Sequence, residues 1–184
     1  MIRRVIEPPF RAITLKAKGG KLREIRTDAE VFVSRDISRL FSIPMKSAKV
    51  QAIWDTGATN TVISEKLAAQ LGLVPTGKIT CNAVNEQYQA DTHIVDIELP
   101  DKMMIGGVQV TAGKNLGNYD LLIGMDLITL GDMAITNSAG ITWFSFRFPP
   151  DPIRIDYVER SRAIMNKKLR REKNKAKPKR KKGE

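Results

Sequence analysis

Ala48-Lys49-Val50-Gln51-Ala52-Ile53-Trp54-Asp55-Thr56-Gly57-Ala58-Thr59 is the stretch on which the fold turns. Its first half alternates apolar and polar residues, the period of a half-buried strand, and then sets two apolar residues, Ile53 and Trp54, directly before an acid. An aspartate at the end of an apolar strand is expensive unless its carboxylate is hydrogen-bonded or serves chemistry. Thr56 offers a hydroxyl beside it, and Gly57 lets backbone N–H groups come close with no Cβ in the way. Taken alone, Asp55-Thr56-Gly57 reads equally well as an ordinary strand-to-turn corner.

Upstream, Phe10 to Lys16 reads as a strand, Gly19-Gly20 as a turn, and Leu22 to Val33 as two strands with a bend, because its apolar spacing drifts. Arg35 to Lys46 is polar, contains Ile43-Pro44, and reads as a loop or insertion. Downstream, Ser64 to Leu71 is a helix: Ser64 suits the N-cap, Leu67, Ala68 and Leu71 share a face, and Gly72 stands at the stop. Lys78 to Leu99 alternates on both sides of Asn85-Glu86-Gln87, which predicts a long hairpin. Met103 to Thr111 predicts short strands around a bend at Gly106-Gly107, and Leu121-Leu122-Ile123 a wholly apolar strand ending at Gly124. Met125 to Leu130 has room for about one and a half helical turns. Ala134 to Thr136 and Ile141 to Phe148 form a last hairpin, and Pro149-Pro150-Asp151-Pro152 closes the domain.

Charge separates the chain into two parts. The sequence has 184 residues, 42% hydrophobic and 28% charged, enough apolar material for one packed core and too much for wholesale disorder. The net charge is +11, yet residues 160–184 alone hold 13 Lys/Arg and 2 Asp/Glu, so the first 159 residues sum to zero. Any nucleic-acid or acidic-partner binding, weak and salt-sensitive, therefore rests on residues 160–184. Asp156 to Lys175 reads as a helix and the rest as a solvated end. One cysteine, Cys81, and one histidine, His93, exclude a disulfide framework and a Cys/His zinc cage within one chain. Cys81 and His93 fall on opposite arms of the hairpin with no nucleophile context, so they read as structural. The first nine residues lack an apolar core and make a poor signal peptide, and no 18-residue apolar run spans a membrane. A cytoplasmic location follows as the expectation.

Leu121-Leu122-Ile123-Gly124 begins 66 residues after Asp55 and is followed by Met125-Asp126. Together with Asp55-Thr56-Gly57-Ala58-Thr59, the helix from Ser64 and the intervening hairpin, this resembles the retropepsin-like aspartic protease family, over approximately Leu22 to Phe148. Gly124-Met125-Asp126 is similar to the form common in its non-viral branch. Many short strands with two short helices indicate an all-β, closed or sandwich-like domain; the resemblance implies a closed barrel with a flap hairpin and one or two short helices, ahead of the basic C-terminal tail. Taken with the proline run, it divides the chain into an N-terminal strand or extension (1–20), the expected protease domain (21–149) and the Pro-bounded basic tail (150–184). It implies that Asp55 is catalytic, that Thr56, Gly57 and Ala58 support it, and that Leu122, Ile123 and Gly124 form the strand behind the active-site loop. The hairpin from Ile79 to Ile94 takes the flap position, with Ala83, Val84, Asn85 and Glu86 at its tip. The family's flap tip usually carries Gly, whereas no Gly occurs here between Lys78 and Met104.

Only one Asp-Thr-Gly or Asp-Ser-Gly occurs in the chain. Aspartic proteolysis needs two carboxylates, one protonated and one ionised, so the second must come from another copy. The expectation is a homodimeric endopeptidase acting on a peptide or protein substrate, with Asp55 and its mate on the two-fold axis and no metal or organic cofactor. Asp126 reads as a local cap or pair. Ile141 to Phe148 packs four of the chain's eleven aromatics into eight residues, which marks either the subunit interface or a core strand. Two other classes stay open: a peptide-binding module with this fold and little turnover, and a nucleic-acid-associated protein acting through its tail.

Overall fold

The computed structural model describes residues 10–82, 87–114 and 116–175. In chain order the elements are β1 (Arg11–Lys16), β2 (Ile25–Val33), α1 (Arg35–Phe41), β3 (Ser47–Trp54), β4 (Val62–Ser64), α2 (Glu65–Leu71), β5 (Gly77–Asn82), β6 (Gln87–Leu99), β7 (Met103–Gly113), β8 (Leu121–Ile123), α3 (Met125–Ile128), β9 (Asp132–Thr136), β10 (Trp143–Phe148) and α4 (Tyr157–Lys175). The chain divides into two units, Met1–Pro150 and Asp151–Glu184.

In the first unit, alternation decides what faces inward. Along β2, Ile25, Thr27, Ala29, Val31 and Val33 are buried while the residues between them are not, the period-two pattern of a strand with one wet face. Strands β2-β3-β8-β4-β7-β6 are hydrogen-bonded in that order, and β2 also pairs with β6, so six strands close into a barrel with β5 added outside β6. The interior is filled by Val31, Ile63, Val95, Ile97, Val110, Leu121 and Ile123, all fully buried. The apolar face of α2 (Leu67, Ala68, Leu71) joins the same core. Ser64 caps this helix, accepting from Leu67 N–H at 3.0 Å, and Gly72 ends it at φ +68°, where a side chain would be strained.

A second sheet, β1-β10-β9, packs on the end of β3 through Trp54. Phe144 and Phe146, 0% and 1% exposed, each bring their rings 4.9 Å from that of Trp54. Burying a phenylalanine in this way contributes about 1.5–3 kcal/mol. The indole N–H of Trp54 donates to Thr27 Oγ1 at 3.0 Å, so its one polar group is satisfied in the core. The residue immediately before Asp55 is thereby clamped from two sides.

Four expectations are corrected or narrowed. Residues 35–46 are not merely a loop, since Arg35–Phe41 forms α1. The sequence hides this helix because only Ile37 is buried while Leu40 and Phe41 stay exposed, so no continuous apolar stripe advertises it. Leu22–Val33 holds one strand, β2 (Ile25–Val33), rather than two. Met103–Gly113 is also one strand; the bend at Gly106-Gly107 is absorbed by a register shift between Val95 and Ile97 of β6 and by Gly107 N–H donating to Asp96 at 2.8 Å. Finally, β10 is the middle strand of its sheet, paired with β1 and β9. Its inward aromatics therefore belong to the core, and its edges are not open for a partner strand.

In the second unit, α4 is a 19-residue helix. Asp156 caps it, accepting from Glu159 N–H at 2.9 Å.

Candidate active site

The site is built where β8 threads between the two strands that flank the Asp55 loop. β8 pairs in parallel with β3, Trp54 opposite Ile123, and antiparallel with β4, Val62 opposite Leu122. Residues 55–61 leave β3, pass the end of β8 and return as β4. Covered on both sides by strands, β8 is apolar throughout. Its ladder continues one step into the loop, with Asp55 N–H donating to Ile123 O at 3.0 Å.

Asp55 is half-buried. Its Oδ1 accepts from Gly57 N–H at 2.8 Å, and among the described residues Oδ2 has no protein partner. A Cβ on Gly57 would lie 3.1 Å from that same Oδ1, crowding the carboxylate. Ala58 N–H closes the turn onto Asp55 O at 3.3 Å. The loop carbonyls that follow are taken by the first turn of α3: Met125 N–H donates to Ala58 O at 2.8 Å and Asp126 N–H to Thr59 O at 3.1 Å. Gly124 is required by contact. A Cβ there would lie 2.5 Å from the backbone C and O of Asn60.

The structure thus brings Asp55, Thr56, Gly57 and Ala58 into one turn and places Leu122, Ile123 and Gly124 directly behind it. Thr56 is exposed on that turn. Ala83, Val84, Asn85 and Glu86 lie outside the described residues; the arms leading to them pair Asn82 with Gln87 through Gly77 with Thr92. Cys81 is a half-buried free thiol opposite Tyr88. His93 is buried, with Nδ1 3.1 Å from Val74 O, and lies five residues along the strand from Tyr88, about 17 Å. The two do not form a pair.

Sequence reasoning undervalued Asp126. Its Oδ1 accepts from Thr61 Oγ1 at 2.7 Å and from Leu127 N–H at 2.9 Å, and its Oδ2 accepts from Thr61 N–H at 2.9 Å. Thr61 Oγ1 in turn accepts from Gly124 N–H at 3.2 Å. One carboxylate thus ties the far end of the Asp55 loop to α3, 65 residues away in sequence. The signal available was the acid directly after a strand-ending Gly-Met, a residue suited to the first turn of a helix. Asp126→Ala is expected to lower stability by about 2 kcal/mol, because it leaves two donors of the fully buried Thr61 unpaired. Thermal unfolding checks this, and an unchanged midpoint would show the network to be ornamental.

Beside the turn, Asn60, Asp126 and Leu127 face Ile79, Thr92 and Ile105 across a cleft of about 450 Å³. Thr92 Oγ1 is buried there without a protein hydrogen-bond partner. On the loop into β8, Tyr119 donates to Glu24 Oε2 at 2.6 Å and Arg26 lies 4.8 Å over the Tyr119 ring. The Tyr119 hydroxyl, then Arg26, hold the exposed Glu24 carboxyl below its ordinary range, and the same bond raises the Tyr119 phenol. Among the described residues no group of three or more His, Cys, Asp or Glu is placed to hold a metal ion.

Residues 42–129 match the family model described as "gag-polyprotein putative aspartyl protease". No curated protein matches the sequence. Among solved structures the chain is similar to a retropepsin-like aspartic protease from Rickettsia conorii, with 12% identity, TM-score 0.45, and coverage of 77% of this chain and 98% of that one. It is similar to the Simian Foamy Virus (mac) protease, with 17% identity, TM-score 0.40, and coverage of 58% and 93%. It is also similar to the retroviral protease-like domain of Ddi1 from Leishmania major, with 17% identity, TM-score 0.38, and coverage of 62% and 82%. The residues matched by the aspartyl protease model, 42–129, carry both the Asp55 turn and the Gly124 strand end behind it.

Proposed function

We propose that the chain is one half of a homodimeric aspartic endopeptidase that hydrolyses an extended peptide with two Asp55 carboxylates, one from each subunit. The observation that carries this reading is the Asp55 carboxylate: Gly57 N–H holds one oxygen at 2.8 Å, and the other is left without a protein partner among the described residues. The acid nearest in the loop network, Asp126, has both oxygens committed to Thr61 and Leu127. A second reacting carboxylate therefore has to come from another copy.

Two carboxylates in contact do not both ionise, so the pair holds one proton and titrates as a unit. The ionised member takes a proton from a water lying between them. The resulting hydroxide oxygen bonds to the scissile carbonyl carbon, while the protonated member gives its proton to the carbonyl oxygen. In the collapse of this diol the C–N bond breaks, the leaving nitrogen takes a proton from the dyad, and one diol hydroxyl returns a proton to it. The products are a carboxylic acid and an amine, and the dyad again holds one proton. No metal or organic cofactor enters the scheme. The cleft beside the turn, lined by Ile79, Ile105 and Leu127 together with Asn60 and Gln109, supports a peptide substrate: it offers apolar contact and hydrogen-bonding groups side by side. Cys81, the only cysteine, fits a reducing compartment, and the cytoplasm is the proposed location.

The test is subunit mixing. Inert Asp55→Asn chains, added in equal amount and allowed to exchange, are expected to lower wild-type peptide cleavage to about half, as random pairing of a two-chain site demands. Cleavage unaffected by exchanged mutant chains would place the whole site in one chain and overturn the reading.

A further inference from the structure

Helix α4 carries a feature that peptide cleavage leaves unused. Tyr157, Val158, Ile164, Met165 and Leu169 are 65%, 60%, 56%, 57% and 48% exposed. Val158, Ser161, Met165 and Leu169 follow one another at spacings of three and four, with Tyr157 and Ile164 alongside, so these side chains share one helix face. The stripe is interrupted by Lys168 and ends at Glu172. The remaining arc holds Arg160, Arg162, Lys167, Arg170 and Arg171, all exposed. Just upstream, Ile153 and Ile155 are 77% and 69% exposed.

We propose that α4 lies in the interface of an anionic glycerophospholipid bilayer, its apolar stripe among the acyl chains and its arginines and lysines among the headgroups. The proposal concerns residues 151–184 and does not depend on the protease reading. Charge selects the sign of the partner: residues 160–184 carry a net +11, which attracts an anionic leaflet and opposes the pairing of two such helices. The stripe selects its chemistry. RNA would engage the cations but leave five large apolar side chains in water, and Tyr157 is the only aromatic there to stack a base. A basic polar arc beside an apolar stripe on one helix is the arrangement that seats in a membrane surface, where Lys168 extends its ammonium past the apolar stem. No helix of the described residues is long and apolar enough to cross a membrane, so the attachment is in-plane.

The experiment uses the full chain and sedimentation with phosphatidylcholine vesicles, with and without phosphatidylserine. The wild type is expected to pellet only with phosphatidylserine present and to be released by salt. The triple variant Ile164→Ser/Met165→Ser/Leu169→Ser, which keeps every charge, is expected to lose at least about tenfold in vesicle affinity while binding single-stranded RNA as the wild type does. The variant Arg162→Gln/Arg170→Gln/Arg171→Gln is expected to lose both. Hydrogen exchange on the wild type alone provides a reading independent of any variant, and amides of residues 157–172 are expected to be slowed by phosphatidylserine vesicles. Vesicle binding unchanged in the apolar-face variant, no exchange protection, or a wild type that binds RNA or an acidic protein and ignores the vesicles would each overturn the proposal.

Discussion

Asp55→Asn is expected to leave the barrel folded and self-associated while lowering peptide cleavage by at least about 10³-fold. Asparagine keeps the shape of aspartate, and its Oδ1 still accepts the Gly57 N–H that fixes the turn, so the architecture has no reason to change. What is lost is the exchangeable proton. An amide neither takes one from water nor gives one to a carbonyl, and the dyad fails at both ends of the scheme. The measurement is kcat on peptides found by profiling the wild type, read beside the thermal midpoint and the oligomeric state. Cleavage within about tenfold of wild type would remove Asp55 from the chemistry. A wild type that dimerises and binds peptides, yet cuts none between pH 4 and 7, would instead identify a binding module on the same scaffold.

Gly124→Ala is expected to destabilise the protein by about 3 kcal/mol or more and to abolish cleavage in whatever fraction still folds. The added methyl would stand 2.5 Å from the Asn60 carbonyl and 3.0 Å from Thr61 N. Both are backbone atoms of the Asp55 loop, so relief requires moving the loop itself. That movement also breaks Gly124 N–H to Thr61 Oγ1 and Met125 N–H to Ala58 O, the bonds that carry position from α3 to the Asp55 turn. A displacement near 1 Å at a reacting group lowers rate by about 10²-fold even where the fold survives. Gly106→Ala is the control: its nearest neighbour is Asp96 Oδ1 at 3.6 Å, ordinary contact, and it should change the midpoint little. Equal thermal midpoints for the two variants would mean that the close approach of β8 to the loop is not a constraint on the fold.

The parts of this site that are legible in the sequence are those whose chemistry is local. Asp55, Thr56 and Gly57 are adjacent, and the hydrogen bond from Gly57 N–H to the Asp55 side chain spans two residues. Ser64 and Gly72 bracket α2 by the rules of helix ends. The parts that are hidden depend on burial. α1 escapes notice because its apolar residues point into water. The aromatic run of β10 invites an interface because composition does not reveal that Phe144 and Phe146 meet Trp54. Asp126 reads as a simple cap because its partner Thr61 lies 65 positions earlier.

From the sequence alone came the strand periodicities, the acid placed at a strand end beside threonine and glycine, and a neutral body carrying a cationic end. These follow from side-chain alternation and from charge, which neighbours in the chain already determine. Only the tertiary structure decided that β8 runs between β3 and β4, that Gly124 must lack a side chain, and that Asp126 anchors the loop. Each is a contact between segments some sixty residues apart, and no local periodicity encodes which distant backbone will come within touching distance.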